Sequence, residues 1–209
     1  MANNMPKTKK LPNKTEVETP YMRYHDISEL NIRIAILCDE ACMAINNKDY
    51  DVALKSYDLA LTVAKYGLPT LLINKGVTLM RLKRLEDAIE CYDAAIDAAP
   101  DKDYSIIAWH YKSMGLGKIA DTQIKEVKDY VAKISEDAPA SYYLKLEKML
   151  KCYKKTVENV TVCLQNSLEI NPRFKFPKEC LKTCRDALKI TNSLLNTVRK
   201  CKSSIKNQK

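Results

Sequence analysis

Glycine and histidine are both scarce in this sequence, which has four glycines and two histidines among 209 residues. Phosphate-binding loops cradle their ligand with glycine-rich backbone, and histidine is the most frequent general acid or base. Residues 114–119 contain a G-x-G-K core, but its spacing is not that of a phosphate-binding loop, and we interpret it as a helix end. No other segment assembles catalytic residues, so we predict a protein that is not an enzyme and needs no cofactor.

Long apolar runs are missing as well. No stretch approaches the roughly 18 to 20 apolar residues that a membrane-spanning helix needs. The first twenty residues are polar, contain three prolines and lack the apolar segment of a secretory signal. We expect residues 1–20 to form a disordered arm, and we expect the protein to be cytoplasmic without a membrane span.

Cysteine, by contrast, is abundant, with eight residues. Without a secretory signal these thiols are expected to stay reduced. Cys38 with Cys42, and Cys180 with Cys184, are four residues apart, so each pair would share one helix face. Four thiolates could hold a metal, but zinc ligands usually lie on loop knuckles, whereas these pairs lie in helical patterns. We therefore predict packing residues and no metal site.

Few helix breakers and many alanines, leucines and lysines favour helix over sheet. Apolar residues recur at helical spacing in four stretches, namely 27–45, 50–64, 70–82 and 85–99. No segment alternates between apolar and polar residues as a half-buried strand would. The predicted fold class is all-α.

Two of these predicted helices repeat one another at an offset of 35 residues. Segments 52–61 and 87–96 share the pattern A-x3-Y-D-x-A. The offset is close to the 34-residue period of tetratricopeptide repeats, whose second helix carries small and aromatic residues at these positions. The sequence therefore resembles the tetratricopeptide repeat family.

The resemblance is closest over residues 72–100, where five positions carry the pattern of the family. These are the small residue of the first helix, the two small residues and the bulky residue of the second, and the terminating proline: Gly76, Ala88, Ala95, Tyr92 and Pro100. Small residues let helix axes approach, and the aromatic ring fills the gap beside them. The preceding repeat has matching residues at Leu37, Ala41, Ala44, Tyr50, Ala53, Tyr57 and Ala60.

Beyond residue 100 the repeat pattern weakens. Residues 108–113 predict the first helix of a third pair, and residues 122–134 predict its partner. Residues 160–172 resemble the second helix of a fourth pair, and residues 178–202 form an amphipathic, basic helix that would cap the array.

The resemblance implies a right-handed α-solenoid of about four helix pairs with a C-terminal capping helix. The repeat array would cover residues 21–176, and the basic capping helix and tail would cover residues 177–209.

In this family the first helix of each pair lines a concave surface that binds segments of other proteins. By register, that surface would hold Cys38, Cys42, Ile45, Ile73, Asn74, Val77, Met80, Arg81, His110 and Met114. It is mostly apolar and rich in sulfur, which suits packing against a partner peptide or helix, unless the N-terminal arm or the terminal helix fills it. We predict a non-enzymatic adaptor or scaffold, and leave the partner and the oligomeric state open.

Some family members clamp the acidic C-termini of heat-shock chaperones with lysine, asparagine and arginine. Asn74 matches the middle asparagine of that clamp, but its other positions hold Cys38, Cys42, Ile107 and Tyr111. A carboxylate cannot be held without the basic groups, so the sequence argues against a chaperone adaptor of this kind.

Charge is distributed unevenly along the chain. Residues 141–209 contain 16 Lys or Arg against 5 Asp or Glu, whereas residues 1–140 contain 19 against 21. A basic segment attracts nucleic acid or acidic surfaces, although it can also be a solvated lysine-rich face. Aromatic and basic residues alternate at 173–176, as in single-strand binding surfaces.

The alternative to an adaptor is therefore a nucleic-acid or ribonucleoprotein-associated protein. Its predicted basic patch consists of Lys145, Lys148, Lys151, Lys154, Lys155, Arg173 and Lys175.

Overall fold

The computed structural model describes residues 20–64, 68–135 and 138–207. Within these ranges the chain forms seven α-helices and no strand. The helices are α1 (Pro20–Asn46), α2 (Tyr50–Val63), α3 (Leu68–Arg81), α4 (Leu85–Asp97), α5 (Lys102–Val131), α6 (Ala140–Ile170) and α7 (Lys175–Asn207). The predicted all-α solenoid class is confirmed. Residues 1–19 of the expected N-terminal arm lie outside the described residues.

The first four helices form two pairs, α1 with α2 and α3 with α4. Helices α2, α3 and α4 have nearly the predicted bounds, whereas α1 begins at Pro20, seven residues before the predicted start at residue 27. The turn inside each pair has a lysine with a left-handed backbone, Lys48 at φ 63° and Lys83 at φ 62°. The residue after each lysine donates its N–H to a carbonyl of the preceding helix, Asp49 to Ala44 at 2.8 Å and Arg84 to Leu79 at 3.0 Å. The two turns are thus structurally equivalent helix endings, and they confirm the repeat offset.

Small and aromatic residues pack the two pairs as the repeat pattern predicts. Tyr57 and Tyr92 are buried, and the alanines Ala53, Ala60, Ala88 and Ala95 are fully buried with them. Tyr92 lies directly over Gly76, where an added Cβ would come within 2.5 Å of the ring carbon Cε1. Gly76 therefore allows α3 to approach the ring of Tyr92 on α4 more closely than any other residue could.

Beyond residue 100 the helices differ from the predicted pairs. Residues 108–113 and 122–134 were expected in two helices, but α5 runs without a break from Lys102 to Val131. The interpretation of residues 114–119 as a helix end is wrong, because the whole segment, with both of its glycines, lies within α5. Gly115 is buried beside Ile89 and Met80 of the preceding repeat, and Gly117 lies beside open space.

The last two helices are also long. Helix α6 contains the predicted segment 160–172 only up to Ile170, and it begins much earlier, at Ala140. Helix α7 extends past the predicted 178–202 at both ends. The first half of α7 packs near Leu164, and its second half packs near Leu146, so the two helices run in opposite directions. Helix α7 therefore covers α6 along most of its length.

We predict that Gly76→Ala lowers the free energy of unfolding. A Cβ at this position overlaps the buried ring of Tyr92, and overpacking of this kind costs about 1 to 3 kcal/mol, which exceeds the gain of about 1 kcal/mol in helix propensity. Gly117→Ala is the matched control, because its Cβ meets no atom within 4 Å and only the propensity gain remains. Urea unfolding followed by circular dichroism measures both; equal stabilisation by the two substitutions would contradict this packing.

Candidate interaction groove

An open groove of about 310 Å³ lies between α5, α6 and α7. Helices α5 and α7 both pack on α6, and the space between them above α6 is not filled. The groove is lined by Ser113, Met114, Gly117, Ala120, Asp121, Tyr153, Val157, Val160, Leu164, Phe176, Cys180, Thr183, Cys184 and Ala187. Most of these side chains are apolar, so the groove suits an apolar occupant.

The floor of the groove is one face of α6. Tyr153, Val157, Val160 and Leu164 follow one another at steps of four, three and four residues, and all are buried. This spacing places them on a single stripe of the helix. The same stripe forms part of the core beneath α5 and α7, so the floor is held rigidly.

The walls of the groove carry small side chains. Gly117 and Ala120 belong to α5, and Cys184 and Ala187 belong to α7. The hydroxyl of Ser113 donates to the carbonyl oxygen of His110 at 2.7 Å, so this polar lining group has a partner within its own helix. Because the side chains of the walls are small and the floor is apolar, the groove has room for apolar side chains of a bound segment.

Burial raises the pKa of the Cys180 and Cys184 thiols. Both therefore line the groove as neutral groups, which agrees with the packing role predicted for them. Among the residues that the structure describes, no group of three or more His, Cys, Asp or Glu is arranged to hold a metal ion. Nor does any described helix have the length and apolar character needed to cross a membrane.

Two of the predicted concave residues lie at this groove. Met114 lines it and is exposed, and His110 lies one turn earlier on α5. The ring of His110 contacts Phe174 and Phe176, with centroid distances of 5.4 and 4.9 Å, and burial lowers the pKa of its imidazole. The start of the terminal helix thus covers His110, as one of the two sequence interpretations had allowed.

Three other predicted residues, two on α1 and one at the end of α3, act electrostatically on Tyr57 of α2. The thiols of Cys38 and Cys42 and the guanidinium of Arg81 all act on the Tyr57 hydroxyl. Burial is the main cause that raises the pKa of Tyr57 to about 12, and the two thiols add to it, while Arg81 acts in the opposite sense. Ile45 packs against the same core cluster.

The remaining predicted residues belong to α3. Ile73 and Met80 are buried in the core between α3 and α4, and Val77 packs against that core. Asn74 is half-buried, and its backbone carbonyl accepts a hydrogen bond from the Thr78 hydroxyl at 3.0 Å. The ten predicted residues are thus distributed over three places: around Tyr57, in and against the core between α3 and α4, and beside the groove at α5.

The walls formed by Gly117, Thr183 and Ala187 were not predicted. The sequence indicates a helix end at residues 114–119, so it does not predict that one face of α5 lines a groove here. The C-x3-C spacing of Cys180 and Cys184 did mark one face of α7, but nothing in the sequence showed that this face lies opposite Met114.

The predicted basic patch lies on α6 and on the connection to α7. Lys151 and Lys154 form ion pairs with Glu147 at 2.8 Å and Glu158 at 3.7 Å, and Lys145 lies 4.9 Å from the ring centroid of Tyr130. The other members of the patch are exposed: Lys148, Lys155, Arg173 and Lys175. A second row of exposed basic residues, not included in the prediction, follows α7 at Lys178, Lys182, Arg185 and Lys189.

Glu147 links α6 to the C-terminal part of α7. Its side chain is only 9% exposed, and its carboxylate accepts hydrogen bonds from Lys151 at 2.8 Å and Lys202 at 2.6 Å. Arg199 approaches the same carboxylate at 3.7 Å. The hydrogen bonds from Lys151 and Lys202 are the main cause that lowers the pKa of Glu147 to about 2.

One part of the chain matches a known family. Residues 69–102, which contain most of α3 and all of α4, match the model of the tetratricopeptide repeat. Residues 69–102 therefore have the sequence of a tetratricopeptide repeat. No curated protein matches the chain.

Several solved structures are similar to the chain at low identity. A MamA protein has 17% identity and a TM-score of 0.39, with 84% of this chain and 93% of that chain covered. MamA from residue 41 to its end, from Desulfovibrio magneticus RS-1, has 17% identity and a TM-score of 0.39, with 82% and 96% covered. A TPR repeats protein from Bacteroides fragilis NCTC 9343 has 16% identity and a TM-score of 0.33, with 84% and 99% covered. At these scores the similarity says nothing about the partner of this chain.

We predict that Glu147→Gln destabilises the protein at neutral pH and that this loss disappears in acid. Because the pKa of Glu147 is lowered from 4.5 to about 2, its charge stabilises the fold above pH 4.5, and this contribution is lost as the pH falls towards 2. Denaturant unfolding of both proteins between pH 7 and pH 2 measures the difference.

Glu158→Gln is the control, because the Glu158–Lys154 pair is longer and more exposed and should change the free energy of unfolding by less than about 0.5 kcal/mol. A Glu147→Gln loss that does not shrink in acid would contradict the ionic role of Glu147.

Proposed function

We propose that this protein is a non-enzymatic interaction scaffold that binds a helical segment of another protein in the groove between α5 and α7. The observation that supports the proposal is the open apolar groove of about 310 Å³. We also propose that it acts in the cytoplasm, because its cysteines are free thiols and reducing compartments preserve that state.

The shape of the groove favours a helix over an extended peptide. Two helices form its walls and a third forms its floor, so a fourth helix in the groove would complete a bundle with ordinary ridge-into-groove packing. Gly117 and Ala187 allow close approach from either wall. An extended strand, in contrast, binds through backbone hydrogen bonds to a sheet edge, and the described part of this chain has no sheet.

The expected affinity is moderate. Three or four apolar side chains buried in the groove contribute roughly 5 to 10 kcal/mol to the free energy of binding. The entropy that the two partners lose on association offsets several kcal/mol of this contribution. A net value of about 4 to 6 kcal/mol corresponds to dissociation constants from about millimolar down to tens of micromolar. Because the contacts are mainly apolar, this affinity should depend little on salt.

A second candidate function is binding to nucleic acid. Helix α7 contains nine Lys or Arg against two Asp or Glu, and four of the basic residues form the exposed row from Lys178 to Lys189. A row of cations on one helix can follow a phosphate backbone. The rings of Phe174 and Phe176 both contact His110, and Phe176 remains 42% exposed.

We predict that Gly117→Phe abolishes binding of helical peptides. Peptides selected against the full-length protein from a helical display library should carry apolar residues at steps of three and four, and fluorescence anisotropy should give the same affinity at low and high salt. A phenylalanine at position 117 enters the open space beside the Gly117 Cα and occupies the groove, so it should weaken binding at least about tenfold.

Gly117→Ala is the control and should bind as the wild type does, because its methyl group reaches no neighbour. Selected peptides that bind Gly117→Phe as tightly as the wild type would contradict the proposal.

The nucleic-acid candidate makes an opposite prediction about salt. If the α7 row contacts phosphates, affinity for single-stranded RNA should fall by about tenfold or more between 50 and 200 mM salt. The substitution of Lys182 and Arg185 by glutamate should remove this binding, whereas the same change at Lys148 and Lys155 on α6 should reduce it less. A filter-binding titration measures the dependence; RNA binding that is insensitive to both charge reversals would exclude the α7 row.

A further inference from the structure

The outer face of α1 is apolar, and nothing in the described part of the chain covers it. Ile32, Ile36 and Met43 are 59%, 53% and 59% exposed, and their spacing of four and seven residues places them on one face of the helix. The opposite face, with Ala41 and Ala44, is buried against α2. Terminal helices of repeat arrays usually present a polar outer face, so an apolar face at this position indicates a surface that another helix covers.

The 35-residue repeat shows which kind of helix fits this face, because α3 is the equivalent of α1 in the next pair. Ile36 corresponds to Leu71, which is only 3% exposed and belongs to the core cluster of the first pair, together with Tyr57 of α2. Met43 corresponds to Thr78, which is fully buried. The exposed face of α1 is thus the equivalent of the face with which α3 packs on α2.

An ion pair joins α2 and α3 at the centre of that contact. Lys75 lies on α3 between Leu71 and Thr78, four residues after the first and three before the second. Its ammonium lies 2.6 Å from the carboxylate of Asp58 on α2. The equivalent of Lys75 in α1 is Glu40, which has the opposite charge and is exposed. A helix that packs on α1 as α2 packs on α3 must therefore carry a cation where α2 carries Asp58.

The other charges on α1 also favour a basic occupant. Between residues 29 and 46, α1 has three exposed carboxylates and one exposed guanidinium, namely Glu29, Asp39, Glu40 and Arg33. Asp39 is next to Glu40 in the sequence and adds to the attraction for a cation there. Arg33 lies seven residues before Glu40, about 10 Å away along the helix axis at a rise of about 1.5 Å per residue. It therefore weakens that attraction less than Asp39 strengthens it.

We propose that the outer face of α1 binds a helix of another protein that resembles α2 but has a lysine or arginine in place of Asp58. On α2, the side that contacts α3 carries Leu54, Asp58 and Leu61, at steps of four and three residues. The partner helix should therefore have two apolar residues seven positions apart, with a cation four positions after the first. This face is separate from the groove between α5 and α7, so the inference does not depend on the function proposed for that groove.

A peptide of residues 50–64, which contains all of α2, tests the proposal in two forms. One form keeps Asp58 and the other carries Asp58→Lys, and a hydrocarbon staple between positions 52 and 56, on the side away from Leu54 and Leu61, keeps both helical. Fluorescence anisotropy measures their binding to the full-length protein. Because only the substituted peptide places a cation against Glu40, it should bind at least about threefold more tightly than the native form.

Glu40→Lys in the full-length protein should reverse this preference, because the new side chain then matches Lys75 of α3 and pairs with the native Asp58. Ile36→Asp should weaken the binding of both peptides at least about tenfold, since a charge there must be desolvated against an apolar surface. Ile107→Asp is the matched control, because Ile107 is also 53% exposed but lies on α5, and it should bind as the wild type does. Circular dichroism checks that every variant is folded.

Gly117→Phe separates this face from the groove, and it should leave the binding of the Asp58→Lys peptide unchanged. Binding that is lost in Gly117→Phe and kept in Ile36→Asp would place the peptide in the groove and overturn the proposal. Absence of binding to the wild type, or a preference that Glu40→Lys does not reverse, would overturn it as well. If wild-type protein dimerises in sedimentation velocity and Ile36→Asp abolishes the dimer, a second copy is the occupant and the proposed partner is wrong.

Discussion

Helix α6 packs against two neighbours at once, and the shape of the C-terminal half follows from this. Its stripe from Tyr153 to Leu164 is covered partly by α5 and partly by α7, and the gap between these two helices becomes the groove. The Glu147 carboxylate, held by Lys151 and Lys202, ties the far end of α7 to α6. The groove is therefore a consequence of rigid packing and does not need a partner in order to form.

The first two helix pairs were predictable because their signals are local. An alanine, a tyrosine and a second alanine at fixed spacing report the close approach of neighbouring helices, and Tyr92 over Gly76 shows that approach directly. Helix α5 was not predictable in the same way, because glycine has several uses. Gly115 packs beside Ile89, and Gly117 borders a groove. From the sequence alone, a glycine in either position cannot be distinguished from a glycine that ends a helix.

The candidate site was only partly predictable for a related reason. Helical register placed Met114 on an interaction surface, and the structure places it in the groove. The same register selected Ile73 and Met80, which the core between α3 and α4 buries. Helical register identifies which residues share a face of a helix. Which other helices cover that face depends on contacts between segments that are distant in sequence, such as α5 and α7.

Site-specific photo-crosslinking tests most directly whether the groove receives a helix. A benzophenone amino acid at Thr183 points the probe at the groove, and the same probe at Lys189, exposed and absent from the groove lining, is the reference. We expect crosslinks from Thr183 to map to residues three or four apart on one face of a captured helix. Equal crosslinking from both positions, or captured residues without helical spacing, would contradict it.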